Sequence, residues 1–162
     1  MSKTRTAFSR LQIWIHWIAA ILIFTAFVTH GGMGQALRER IEQGLTGMEG
    51  ATPHTVLGGI VFAFILWRIV LRWRRGAPEP EGSELQLTAA IWGHRLLYLL
   101  MIVVPALGAA SWYGKMPDLG EVHEVLGKAL VLIALGHGAV ALWHHFVLKD
   151  GTLRRMARSD AP

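Results

Sequence analysis

The 162-residue chain contains no cysteine. That absence excludes a disulfide, a thiolate iron–sulfur site and the CxxCH arrangement that attaches haem covalently, so any haem must be b-type, held by axial ligands, packing and propionate contacts. Charge is scarce as well: Asp, Glu, Lys and Arg make up 17% of the residues, against roughly 25% in an average soluble domain. Internal repeats and low-complexity tracts are missing, and nothing marks off a second domain, so residues 1–162 read as one unit. What is abundant is apolar: 52% of residues are hydrophobic and the mean hydropathy is +0.39. These values describe an integral membrane protein.

The few charges divide the chain into four segments that each suit a span of ~20 residues. The first, about 9–29, belongs to a stretch with no charge between Arg10 and Arg38. Leu11 to Val28 is too long for the apolar region of a signal peptide, so no cleavage is expected. The second, about 53–73, opens on Thr52-Pro53, an N-cap followed by a favoured first helical residue, and meets Arg68 and Arg72 near its end. The third, about 87–112, contains His94, Arg95 and Pro105; the proline should loosen the helix without ending it, since neighbouring helices can satisfy the freed carbonyl. The fourth, about 122–148, is charge-free after Lys128. The expected fold is an all-α integral membrane bundle of four transmembrane helices.

Basic residues are retained on the cytoplasmic side of a membrane. Lys3, Arg5 and Arg10, then Arg68, Arg72, Arg74, Arg75 and Arg95, then Lys149, Arg154, Arg155 and Arg158 account for twelve of the sixteen. Both termini are therefore expected inside. Arg38, Arg40, Lys115 and Lys128 fall outside with Glu39, Glu42, Glu49, Asp118, Glu121 and Glu124, a formal balance of −2. The net charge of +5 is thus an orientation signal, and nucleic acid is not a partner.

Histidine in a span is costly and is a functional candidate by default. His123 and His137 are fourteen residues apart. Fourteen steps of about 100° return a helix to within roughly 40° of the same face after about 21 Å, so the two imidazoles face one way at two depths. Two stacked haems would use such a stripe, each needing a partner at matching depth. His54, in the first outer turn of the second helix, matches His123; His30 is a rival, on a less rigid Gly31-Gly32 exit. His137 lies about 16 Å from the inner end of its helix and His16 about 9 Å from Arg10, a looser match, with His94 as rival. Gly58, Gly127, Gly136 and Gly138 flank these positions and leave room for a flat macrocycle. The spacing leaves both choices open.

The segments Ser9-Arg10-Leu11-Gln12 before Ile15-His16-Trp17, His54 with Gly58, His94 with Tyr98, Pro105 and Gly108, His123-Glu124 ahead of His137, and His144-His145 before Lys149-Asp150, Leu153 and Arg155-Met156 resemble the bacterial cytochrome b561 family. The likeness covers roughly residues 8 to 156. It implies a four-helix membrane bundle with two b haems, His54 and His123 on the outer iron, His16 and His137 on the inner one. Members close to this pattern include superoxide:ubiquinone oxidoreductases, which implies ubiquinone and superoxide as reactants.

An iron with two imidazole ligands has no vacant position, so such a pair of haems relays single electrons. His144, two turns beyond His137, is expected near the inner haem's edge, and with His94 it is read as a quinone site; propionates or backbone carbonyls are the other partners for both. Arg68 suits a propionate, and Arg72 a snorkelling role at the lipid surface. His145 and Arg154-Arg155 read as interfacial, and most tryptophans as an aromatic belt, with Trp17 set apart by its neighbour His16. The leading reading is electron transfer from an outer one-electron donor, superoxide, to ubiquinone. The acidic outer balance favours instead a periplasmic redox protein exchanging electrons with quinol, although Arg38, Arg40, Lys115 and Lys128 offer a local positive entrance. A histidine-based proton or metal transporter without haem is the reading from another class.

Overall fold

The computed structural model describes residues 8–76, 78 and 82–157. Lys3, Arg5 and Arg158, used above for orientation, lie outside the described residues. The described chain is helical: α1 (Arg10–Val28), α2 (Met33–Glu42), α3 (Pro53–Arg75), α4 (Glu84–Gly114) and α5 (Pro117–Trp143), the last continued by a π-helical turn at His144–Leu148. Four of these, with α5 counted through its π turn, are long and apolar enough to cross a membrane, and the protein is a multi-pass membrane protein.

Local chemistry sets where each span begins. The side chains of Ser9, Thr52 and Ser83 each accept a hydrogen bond from the amide three residues on, and the side chains of Gln12, Thr55 and Gln86 accept one in turn from the cap residue's own N–H. These reciprocal caps satisfy helix donors that would otherwise face lipid or headgroups unpaired. Thr52-Pro53 opens α3 as expected. The cap at Ser83 starts α4 three residues earlier than 87. Pro117 at the first helical position, with Asp118 behind it, starts α5 five residues earlier than 122, so His123 falls in its second turn. Pro105 lies inside an unbroken α4.

The four long helices close into a ring in which α1 packs on α3 and α5, and α4 packs on α3 and α5. The α4–α5 seam is the tightest: Leu97, Leu100 and Val104 bury themselves with Leu130. Elsewhere large apolar side chains face outward, such as Trp14 at 67%, Leu132 at 71% and Ile21 at 63% exposure, as a lipid-solvated surface requires. At one end Gln12 donates to the Gly76 carbonyl and Arg75 to Ser9, tying α1 to α3. We refer to this as the basic end.

The opposite end carries α2, which the sequence pattern does not announce. It starts after Gly32, whose φ of 79° suits glycine. Leu37 and Arg40 are its buried residues. Arg40, 2% exposed, donates to the carbonyls of Trp112, Gly47 and Glu49 at 3.0, 3.0 and 2.5 Å, and its guanidinium stacks 4.7 Å from the Trp112 ring. Arg40 thus welds α2 to the end of α4 and to the loop before α3. It does not belong to a positive entrance, because its charge is sealed inside the fold.

Candidate functional site

At the α2 end, His54 and His123 face each other across the ring from α3 and α5. Their ring centres are 5.8 Å apart at an interplanar angle of 75°. Each is gripped from behind: His54 Nδ1–H donates to the Ala26 carbonyl at 2.7 Å and His123 Nδ1–H to that of Val104 at 2.8 Å. With Nδ1 protonated and engaged, Nε2 is the free ligand atom on both rings, the tautomer that metal-binding histidines adopt. An imidazole nitrogen binds a transition metal at about 2 Å, so two rings in trans across one ion have centres roughly 6 Å apart. The His54–His123 pair meets that requirement.

Around the pair lies a cavity of about 690 Å³, reached by His30, Gly58, Gly108, Trp112 and Gly127 among others. That is within the roughly 300–1,000 Å³ of ordinary cofactor sites. Glycine shapes it from two directions. A Cβ on Gly108 would come 2.9 Å from His123 Cε1, so only glycine lets α4 support that imidazole at this distance. A Cβ on Gly58 or Gly59 would meet nothing within 4 Å, leaving open space beside the rings. The donor set, the spacing and the cavity therefore fit a flat macrocycle held by two imidazoles. His30 also lines this cavity, its ring stacked on Phe27 and its Nδ1 in contact with the Phe27 carbonyl.

Toward the basic end, α5 presents His137 to a second group of rings. His94 of α4 lies in direct contact with it, ring centres 5.1 Å apart, and His94 Nδ1–H donates to the Ala90 carbonyl at 2.6 Å. His16 of α1 is within electrostatic range of His137, His94 and Arg68, and its ring meets Trp17 edge-on at 5.4 Å. The structure brings all three histidines together. The His94–His137 contact is about 1 Å shorter than a trans pair across an ion requires, and it lies beside the packed α4–α5 seam. The α1–α5 side is more open, and a Cβ on Gly136 or Gly138 would meet nothing within 4 Å.

Arg68 stands beside this group with its Nε buried and unpartnered, 5.9 Å from the Tyr98 ring centre, while Arg72 lies 5.6 Å from the same ring. Both line a small cleft with Gln12, Ile15 and Met156. Trp17 Nε1–H donates to the Met156 carbonyl at 2.9 Å, folding the C-terminal tail back onto α1. Arg72 is thus exposed but also faces Tyr98.

His144 has a partner that its place on the α5 stripe does not reveal. In the π turn its Nδ1–H donates to Asp150 at 2.5 Å, and Asp150 also accepts from the Thr152 amide at 3.0 Å. The His144 bond, then those from Thr152, hold the Asp150 carboxyl down at about 2. At the other end Glu49 is held below the ordinary range by hydrogen bonds from Thr46, with Arg40 and Lys115 adding their charge. Of the expected positive entrance, Arg38 and Lys128 do line the large cavity, but Lys128 is paired with Glu124 at 2.6 Å. Trp112 is no belt residue: it is 4% exposed beneath Arg40.

Comparison with known proteins extends this picture. The family model described as prokaryotic cytochrome b561 matches residues 7–159. Cytochrome b562 of Cereibacter sphaeroides is 36% identical over 154 residues, covering 93% of this chain and 95% of that protein. Cytochrome b561 homolog 1 of Escherichia coli is 28% identical over 92% of this chain and 96% of its own length. The protein of Yersinia pestis named Probable superoxide oxidase CybB is 30% identical over 92% of this chain and 94% of its own length.

Proposed function

The chain belongs to the prokaryotic cytochrome b561 family, membrane electron-transfer proteins that carry haem b, and from that premise we propose that it holds two b haems and passes electrons between a donor on the α2 side and ubiquinone. The observation that carries this reading is the His54–His123 pair, two carbonyl-anchored rings 5.8 Å apart over a glycine-walled cavity. His16 and His137 would hold the second haem. His94 is the weaker rival because its ring already touches that of His137 at 5.1 Å, closer than two imidazoles holding one iron between them would stand. When bound, a bis-imidazole haem supplies one-electron chemistry with no vacant iron position for oxygen.

The remaining residues bind and orient. Arg68, with its Nε buried and without a partner, supports a propionate of the second haem. His94 and His144 supply polar contacts at the quinone site: with Nδ1–H engaged by the Ala90 carbonyl and by Asp150 respectively, Nε2 of each ring is the acceptor for an O–H of the ubiquinol formed. By the basic-residue rule the basic end and both termini are cytoplasmic, residues 1–162 work as one unit in the bacterial inner membrane, and Arg72 and Arg154 also meet lipid headgroups.

The donor is superoxide, a reading supported by the name of the Yersinia pestis relative and by Arg38 and Lys128 at the cavity. The second reading, exchange with a periplasmic redox protein, is favoured by the acidic outer balance of −2 and by the pairing of Lys128 with Glu124. A pyridine haemochrome assay should give two haems per chain; a colourless protein would instead support the histidine transporter. Stopped-flow mixing of oxidised protein with superoxide should reduce the haems faster than nonspecific chemistry does. Equal rates would transfer the donor role to a protein.

A further inference from the structure

Buried polar atoms in folded proteins almost always have partners, and each exception calls for an explanation such as a bound group. Among the described residues two buried side-chain nitrogens have none, Arg68 Nε and Trp112 Nε1. One lies beside each histidine group. Arg68 suits the second haem; Trp112 lies in the wall of the cavity that holds His54 and His123.

Trp112 is 4% exposed, so neither water nor headgroups reach its indole as they would in an aromatic belt. It follows Gly108 by four residues on α4 and therefore shares that glycine's face, about 6 Å farther toward the α2 end. Gly108 is the residue against which His123 rests. An indole N–H is a donor only, and it needs an acceptor. Arg40 clamps this ring: its guanidinium stacks on the indole at 4.7 Å while its Nε holds the Trp112 carbonyl at 3.0 Å. A buried cation against the ring favours an anionic acceptor at the N–H, and Arg38 in the same wall adds positive charge.

We propose that the Trp112 indole N–H donates a hydrogen bond to a carboxylate of the haem held by His54 and His123, with Arg40 as the positioning residue that fixes the indole. The inference rests on the di-haem reading. It adds a cofactor contact from α4, which supplies no ligand to iron, and gives α2 a positioning role through Arg40.

The test uses purified, haem-loaded protein in which Trp112→Phe keeps an aromatic ring under Arg40 and deletes the N–H. Resonance Raman spectroscopy reads the propionate bending band and a redox titration reads the two midpoint potentials. The expected result is two haems per chain, a shifted propionate band and a lowered potential for the His54–His123 haem, with the other haem unchanged. The potential falls because a carboxylate without its donor stabilises ferric iron more strongly. Should Trp112→Phe lose that haem, Trp112→Gln, which restores an N–H donor, should recover it. An unchanged band and potential in Trp112→Phe, or loss of the haem from both variants, overturns the assignment. So does an unchanged band with an altered response to added superoxide, which would place a free oxyanion at the indole. Failure of the wild-type protein to show two haems would instead refute the di-haem reading.

Discussion

Gly108 and His123 touch so closely that a Cβ on the glycine would lie 2.9 Å from one ring atom of the histidine and 3.0 Å from another. The imidazole also donates to the carbonyl of Val104, one turn back on α4, so helix and ring hold each other in register. Gly108→Ala is expected to push the ring off this position and reduce the haem content from two toward one per chain, measured by pyridine haemochrome. Gly58→Ala is the informative companion, because its methyl group meets no protein atom within 4 Å. Haem loss there would report crowding of the macrocycle itself.

The ligand pairs are separable by substitution. His54→Ala and His123→Ala should remove the same haem, and His16→Ala and His137→Ala the other, as read from low-temperature α-bands. His94→Ala should retain both haems while weakening quinone reduction. His30→Ala should retain both haems; its ring stacks on Phe27. Loss of the His137-bound haem in His94→Ala, with retention in His16→Ala, would reverse the assignment.

Arg40→Met keeps much of the side-chain volume and deletes the hydrogen bonds to Trp112, Gly47 and Glu49. The buried Trp112 carbonyl left without a donor costs about 1–3 kcal/mol before relaxation, and the partly exposed carbonyls of Gly47 and Glu49 add less. A net loss of about 3 kcal/mol is expected, seen as a lower midpoint in thermal unfolding followed at the Soret band. A melting curve superimposable on that of the wild type would show that α2 is not latched by this residue.

The tail at the basic end responds to acid. Asp150 is depressed from 3.8 to about 2, foremost by its bond from His144. A depressed carboxylate contributes stability above its unfolded pKa and loses it as pH falls through the folded value. The His144–Asp150 closure should therefore hold at about pH 5 and open between 3.8 and about 2, visible as faster amide exchange at Thr152, whose N–H is bonded to the same carboxylate. Asp150→Asn should abolish that acid transition.

The spans were legible because lipid leaves little choice: a long charge-free run has to be helical, and Thr52-Pro53 announces where one begins. Depth and fourteen-residue spacing bring His54 and His123 forward with His30 as a rival partner, and the family resemblance is what prefers His54. The α2 helix was not, because Met33–Glu42 is ten residues long and commits only Leu37 and Arg40 to the interior. Arg40 read as a solvated charge, since nothing in sequence tells a guanidinium stacked on Trp112 from one in water. With α2 unseen, Trp112 read as a belt residue. Spacing leaves His16 and His94 both open as partners of His137, the family resemblance is what prefers His16, and the buried cluster at Leu97, Leu100, Val104 and Leu130 becomes visible only when α4 and α5 are brought together.

Helix α5 offers one histidine to each group, His123 and His137, and it is the most C-terminal of the four described spans. On the proposed ligand sets, neither iron acquires its second imidazole until this helix has joined the bundle. His16 and His54 enter the membrane early and wait as half-sites. Cofactor capture then becomes a completion step in biogenesis, in which a chain stalled before Pro117 stays pale and a finished one fills both positions.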